Sequence, residues 1–257
     1  MNVLFYTVAM DEKNMTLTQS MINSFKKFNP NHEIKVFTTQ DMIGFSDIPF
    51  SDYRIYDFRL TPFFSRKLIE KYDTVIRLDA DQIITGNLDH VLEGDYDVAV
   101  VQNSNPRDWK KHFNMTGQML SLYDIDPLDY VNCGFTVIKS KRFVEHWWKL
   151  CCAQFFNQYP FREQDMLNIL VHYFNYKVKF LDRSNKWHGL ITKGYWPFIQ
   201  KIGDKLIIKQ NKEWPTDEDK EVVIIHWAGG DQAYFKLKDI NIKFQYEVAQ
   251  YLKTLIQ

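Results

Sequence analysis

Asp79 and Asp81 stand one residue apart at the end of the run Val75-Ile76-Arg77-Leu78-Asp79-Ala80-Asp81. On an extended chain residues i and i+2 point the same way, so both carboxylates can offer oxygens to one point just past a strand. Two close carboxylates repel each other, and a site of this kind holds a cation. A solvated turn is the plain alternative for any D-x-D. Here the pair directly ends an apolar, β-branched strand, which favours the metal. His226 ends a second apolar run, Val222 to Ile225, and is followed by Gly229-Gly230. Taken alone it reads as a core or loop histidine; beside a carboxylate pair it becomes a third ligand. The glycines would let backbone amides approach phosphate oxygens.

Three further groups carry chemistry with a bland alternative each. Arg66 has a planar guanidinium that suits a diphosphate, and it also reads as an ordinary helix-surface residue. Lys236 is a cation near the glycines and equally a surface charge. Glu163-Gln164-Asp165 opens a helical pattern, where acids favour the helix dipole without further reason; the Gln between them is the odd element.

These residues need a scaffold. Val3 to Val8 reads as a first strand, with Thr7-Val8-Ala9 at its C-terminal end. Leu17, Met21, Ser24, Phe25 and Phe28 fall at helical spacing, so a helix is expected from about Thr16 to Phe28, stopped by Asn29-Pro30-Asn31. Ile34, Val36 and Phe37 form a second strand. Strand–helix–strand favours a parallel sheet and a right-handed crossover. Thr61-Pro62 marks a helix start with Pro at the first helical position, and Thr74 to Leu78 is the third strand. Ligands of open α/β sheets bind beyond the carboxyl ends of the strands, so Thr7 to Ala9 and Asp79 to Asp81 should end side by side. The segment Gln82 to Asp89 leads away through a Gly-Asn turn, Leu88 to Leu92 is a short helix, and Tyr96 to Val101 is a strand.

Val131 to Ile138 is a strand interrupted by Asn132-Cys133-Gly134, where the glycine marks a bulge or a close approach to a ligand. Ser140 caps a helix carrying Phe143, Trp147, Trp148 and Phe155. Val178 to Leu181, Leu206 to Ile208 and Val222 to Ile225 are strands; Phe244, Val248, Leu252 and Leu255 give a terminal amphipathic helix. Trp187-His188-Gly189 and Gly194-Tyr195-Trp196-Pro197 are aromatic loops suited to the apolar faces of sugars. The latter and the polar stretch Gln102 to Met115 are candidate lids. Without repeat or linker, residues 1–257 are expected to form one α/β domain.

Composition narrows the class. Net charge is 0, from 32 basic and 32 acidic residues, which argues against a nucleic-acid partner. Aromatics make up 16%, enough both for a core and for rings lining a cleft. Three Cys without zinc spacing or a disulfide framework fit a reducing, cytoplasmic compartment. The N-terminus lacks a basic stretch before its apolar run, so no signal peptide is expected, and no transmembrane segment is expected either.

Four separated segments, in order, resemble the GT-A nucleotide-sugar glycosyltransferases, most closely the glycogenin and galactosyltransferase-like family eight. Ser65-Arg66 with the strand ending Asp79-Ala80-Asp81 looks like the family's arginine helix and D-x-D strand. Val131-Asn132-Cys133-Gly134-Phe135 resembles its asparagine–small–glycine strand. Glu163-Gln164-Asp165-Met166-Leu167-Asn168 resembles its D-Q-D-x-L-N segment, and Ile225-His226-Trp227-Ala228-Gly229 its terminal H-x-x-G. Two positions depart: Glu163 stands for the family's leading Asp, and Gln232 for the Lys that ends H-x-x-G-x-x-K.

The resemblance implies a GT-A, Rossmann-like, mixed but mostly parallel sheet flanked by helices. It implies Mn2+ or Mg2+ on Asp79, Asp81 and His226, bridging the diphosphate of a donor, with a UDP-sugar favoured. Thr7, Val8 and Ala9 would hold the base; Arg66, Asp79, Ala80, Asn132, Gly229 and Lys236 would contact the nucleotide sugar. Gln164, Glu163 and Asp165 would face the reacting sugar, with a glycan or glycoconjugate hydroxyl as acceptor and retention of configuration. Two other readings stand beside it: a sugar-nucleotide nucleotidyltransferase, and a catalytically silent binding module. The first usually carries a Gly- and Lys-rich loop after strand one, where this chain has Met10-Asp11-Glu12-Lys13-Asn14.

Overall fold

Fully buried Leu4, Phe5 and Tyr6 make the first apolar run, β1 (Val3–Val8), a central strand rather than an edge. A computed structural model of the protein describes residues 1–9, 12–42, 59–103, 121–126, 129–191, 198–209, 219–227 and 246–257. Their contacts divide the chain into two compact units, each drawing on three interleaved segments. The first unit takes Met1–Met10, Glu33–Leu78 and Gly94–Phe180; the second takes Asp11–His32, Asp79–Glu93 and Leu181–Gln257.

The strands of the first unit beyond β1 are β2 (Glu33–Phe37), β3 (Thr74–Leu78), β5 (Val98–Gln102), β6 (Val131–Ile138) and β7 (Val178–Phe180). They form a six-stranded sheet in the order β2-β1-β3-β6-β5-β7. β1 pairs in parallel with β2 and with β3, and β5 with β7; only β6 runs antiparallel to its neighbours. The sheet is therefore mixed and mostly parallel, as expected. Successive residues point to opposite faces, and Leu4 with Phe5, like Val75 with Ile76, are all fully buried. Burial on both faces explains the near-continuous apolar runs of β1 and β3. Tyr6 lies opposite Arg77, so the C-terminal ends of β1 and β3 point the same way.

Among the described residues, three helices belong to this unit: α2 (Leu60–Leu68), α3 (Lys141–Cys151) and α4 (Glu163–Tyr173). Ser140 caps α3, its hydroxyl accepting from the Phe143 N–H at 3.2 Å, a contact worth about 1 kcal/mol. The aromatic face of α3 is Phe143 and Trp147, both fully buried; Phe155 falls past its end, in a turn over Gln154–Gln158. Pro62 is the third residue of α2, not the first, a position whose N–H also has no intrahelical acceptor. Asn132-Cys133-Gly134 does make a bulge. Val100 pairs with Thr136 but Val101 pairs with Asn132, so residues 133–135 are extruded from the β5 ladder.

The second unit is organised around β11 (Lys220–Trp227). β10 (Lys205–Ile208) pairs with its first half, β4 (Gln82–Ile84) with its second, and β8 (Lys186–Ile191) runs parallel to it. β9 (Ile199–Ile202) completes the sheet. One expectation is corrected here: Trp187-His188-Gly189 is a strand and not a loop. Gln82 to Ile84, for which no element of its own was expected, is a strand. Short segments without alternation carry no local strand signal; the buried edges of β11 recruit them.

α1 (Glu12–Phe28) begins four residues before the start expected at Thr16, because its first residues, Glu12-Lys13-Asn14, are polar and outside the apolar periodicity. The Ser24 hydroxyl accepts from the Ile84 N–H at 3.0 Å and ties α1 to β4. α5 (Tyr246–Ile256) buries Val248, Leu252 and Leu255 against Ile83, Leu206, Val222 and Ile225. Gly86 is required by close approach: a Cβ there would lie 2.8 Å from Val223 Cγ1. Neither helix in this unit, nor any other described helix, is long and apolar enough to cross a membrane.

Candidate active site

The chain leaves β3 at Leu78, and Asp79-Ala80-Asp81 leads directly into β4. Antiparallel pairing sets His226 opposite Gln82, next to the second carboxylate. His226 Nε2 lies 3.2 Å from Asp81 Oδ1 and 3.4 Å from Asp79 Oδ2. Ligand atoms of all three residues fall within 4.8 Å of one another. The carboxylates are about a third exposed, at 30% and 27%, while the imidazole is buried. Ala80 between them is half-buried. Burial alone would lower the imidazole pKa; the charge of Asp81 and the hydrogen bonds to both carboxylates push it up to about 9.

Two carboxylates and one imidazole, open on one side, match the donor set of a hard divalent ion that keeps sites for a ligand. The predicted triad is therefore assembled, and the pairing of β4 with β11 is what assembles it.

In the first unit, the bulge of β6 meets the N-terminus of α4. Gln164 Oε1 accepts from Asn132 Nδ2 at 2.9 Å and from the Cys133 N–H at 3.2 Å. Asn132 Oδ1 accepts from the Gly134 N–H at 2.7 Å. Glu163, the residue that departs from the family's Asp, accepts from the Cys133 thiol at 3.6 Å, and its carbonyl accepts from Trp147 Nε1 at 2.9 Å. Asp165 is fully buried and takes the Phe161 N–H at 2.9 Å and the Tyr130 hydroxyl at 2.7 Å. Burial, then the charge of Asp165, raises the Tyr130 pKa well above its ordinary 10.

Asn168, one turn after Gln164, clamps helix to strand. It accepts from the Val131 N–H at 2.7 Å and donates to the Val131 and Gln164 carbonyls at 2.9 and 2.8 Å. Sequence reasoning assigned no role to Tyr130 and none to Asn168. The i, i+4 spacing from Gln164 was a usable signal for Asn168; nothing local pointed to Tyr130.

Other expected site residues fall as follows. Arg66 donates from Nε to Glu145 Oε1 at 2.5 Å, joining α2 to α3. Thr7 is fully buried, and its hydroxyl takes no partner among the described residues. Val8 and Ala9 are buried, and the Ala9 N–H continues the ladder to the Phe37 carbonyl at 2.8 Å. Gly229, Gly230 and Lys236 lie outside the described residues, as do most of the Gln102 to Met115 segment and the Gly194 to Pro197 loop.

A family model described as glycosyl transferase family 8 matches residues 2–232. The chain belongs to this family. It is a glycosyltransferase with the GT-A architecture, which sets aside the nucleotidyltransferase and silent-module readings. Solved structures similar to this family 8 chain carry its fold at low identity. One is the apo WbbM bifunctional glycosyltransferase, with TM-score 0.63 and 16% identity over 99% of this chain. This chain covers 49% of that one, about half its length. Another is the galactosyltransferase LgtC in complex with donor and acceptor sugar analogues, with TM-score 0.56 and 15% identity over 98% of this chain and 95% of that one. A third is a glycosyltransferase involved in glycosylation of the major capsid of PBCV-1, with TM-score 0.52 and 9% identity. The match covers 99% of this chain and 100% of that one. No curated protein matches the chain.

Proposed function

We propose that this family 8 enzyme moves a glycosyl group from a nucleoside diphosphate sugar, with uridine the favoured base, to a hydroxyl of a glycan or glycoconjugate. The observation that carries the reading is the convergence of Asp79, Asp81 and His226. Those three residues would hold Mn2+ or Mg2+, and the single nitrogen donor in the set favours Mn2+. When bound, the ion supplies Lewis-acid neutralisation of the departing diphosphate.

The remaining roles belong to the chain's own groups. Thr7, Val8 and Ala9, at the end of β1, hold the base; the Thr7 hydroxyl, which takes no partner among the described residues, supports a polar contact there. Arg66 is half-buried and already oriented by Glu145, so its remaining guanidinium donors serve phosphate or sugar. Gly229 and Lys236 complete the phosphate contacts. Asn132, Glu163 and Gln164 face the donor sugar; Asp165, being fully buried, acts through Tyr130 and the Phe161 amide. Retention of configuration follows the family resemblance. The family match over 2–232 and the repeated passage of the chain between the two units support one functional domain over 1–257. The three cysteines are free thiols, which supports a cytoplasmic setting.

The test is a screen of UDP-, GDP- and TDP-sugars with and without Mn2+, following nucleotide release and the anomeric configuration of the sugar product by NMR. Metal-dependent release from one UDP-sugar with the anomeric configuration kept is expected. Release unaffected by chelation would remove the metal assignment.

A further inference from the structure

Five hydrogen bonds around Gln164 run with one polarity. Asp165 Oδ2 accepts from the Phe161 N–H and Oδ1 accepts from the Tyr130 hydroxyl. A carboxylate only accepts, so Tyr130 gives its single proton to Asp165 and keeps only lone pairs for its other neighbour. That neighbour is Gln164 Nε2, which donates to the Tyr130 oxygen at 3.3 Å. At the far end the Gln164 carbonyl accepts from Asn132 Nδ2 and from the Cys133 N–H. Asn132 is itself held in register, because its own carbonyl takes the Gly134 N–H.

A primary amide has two orientations of nearly equal shape, distinguished by hydrogen bonding alone. Flipping Gln164 would set its NH2 against the Asn132 NH2 and the Cys133 N–H, donor against donor. It would also set its carbonyl against the Tyr130 lone pairs. In a buried site each such mismatch leaves polar groups desolvated without a partner, which disfavours the flipped form. We infer that Tyr130 and Asp165 are positioning residues that lock Gln164 in one amide orientation, so that it meets the donor sugar through Nε2–H and not through its carbonyl oxygen. Both carbonyl lone pairs are already engaged, which makes that oxygen a poor nucleophile toward the anomeric carbon. The second Nε2 hydrogen has no acceptor among the described residues and is the one left for a ligand. The sugar-facing half of this inference rests on the proposed function; the amide orientation does not.

Asp165→Asn separates polarity from packing. It keeps shape and hydrogen-bond capacity but lets residue 165 donate to Tyr130, which frees the hydroxyl proton for Gln164 and permits the flip. Tyr130→Phe cuts the relay at its centre and serves if the first variant fails to fold. The direct readout is NMR of protein labelled with 15N-glutamine, the Gln164 side-chain amide being assigned by its loss in Gln164→Met. Wild type is expected to give one slowly exchanging NH2 pair with cross-relaxation to the Tyr130 ring. Asp165→Asn should weaken that contact or give a second set of signals. With a working donor, both variants should lower kcat about tenfold or more while donor KM stays within about threefold.

Two amide populations in wild type, or an unchanged spectrum and kcat in Asp165→Asn, would overturn the inference. Failure of wild type to turn over any nucleotide sugar would count against the proposed function instead. The NMR result would still decide the orientation.

Discussion

His226 pairs across the β4–β11 ladder with Gln82, and this one register places its imidazole nitrogen 3.2 Å from Asp81. A shift of one residue in that pairing would turn the imidazole to the opposite face of the sheet. The Asp79-Asp81-His226 cluster is thus a property of strand register as much as of residue type.

Removing one of the proposed ligands should abolish ion binding without unfolding the chain. Asp81→Ala is expected to lower Mn2+-dependent donor turnover at least about 100-fold and to remove the Mn2+ signal in calorimetry with UDP. Asp81 is part-exposed, so the metal-free variant should still unfold cooperatively, losing only the share of the His226 stabilisation that Asp81 supplies. Full Mn2+ binding by this variant would show that the ion sits elsewhere.

The same triad sets a pH dependence in metal-free protein. The His226 pKa is raised from 6.5 to about 9, so the folded chain binds a proton more tightly than the unfolded chain does. The stabilisation is complete below about pH 6.5 and is lost as pH rises through about 9. Chemical denaturation across that window should show this loss, and His226→Gln should flatten it. Saturating Mn2+ should reverse the trend, since a bound ion requires the neutral ring. A wild-type profile identical to that of His226→Gln would contradict the assignment.

Gly86→Ala introduces a Cβ 2.8 Å from Val223 Cγ1, on a stiff β-branched side chain of β11. A loss of about 1–3 kcal/mol is expected by denaturant titration. Combining it with Val223→Ala should cost less than the sum of the two single changes. Strict additivity would mean the contact is not the cause.

Asn168→Ala leaves the buried Val131 N–H without its acceptor and removes two donated hydrogen bonds from the α4–β6 junction. A stability loss of at least about 2 kcal/mol is expected, measured by thermal or urea unfolding. Donor turnover should fall with it, because Gln164 and Asn132 are positioned by that junction. An unchanged midpoint would show that the clamp is replaceable by water.

Much was legible locally. The strand Thr74–Leu78 ending in two carboxylates, the Ser140 cap, the parallel opening of the sheet and the bulge at Asn132-Cys133-Gly134 all follow from apolar runs, capping chemistry and a glycine in a strand. The place of His226 beside the carboxylate pair could also be anticipated, from its position at the end of a second apolar run. These features depend on neighbours within a few residues, where side-chain spacing and backbone preference act directly.

The rest depends on partners far away in the chain. β4 is three residues long and exists because β11, about 140 positions later, offers it a ladder. β8 is a strand for the same reason, although its Trp-His-Gly composition reads as a loop. Arg66 finds Glu145 where helix packs on helix, and Tyr130 finds Asp165 where α4 meets the start of β6; no periodicity encodes either contact. Residue types and local spacing set which chemistry this chain can perform. Long-range register and buried hydrogen bonding, whose energies arise only once distant segments are desolvated together, set which atoms face one another to perform it.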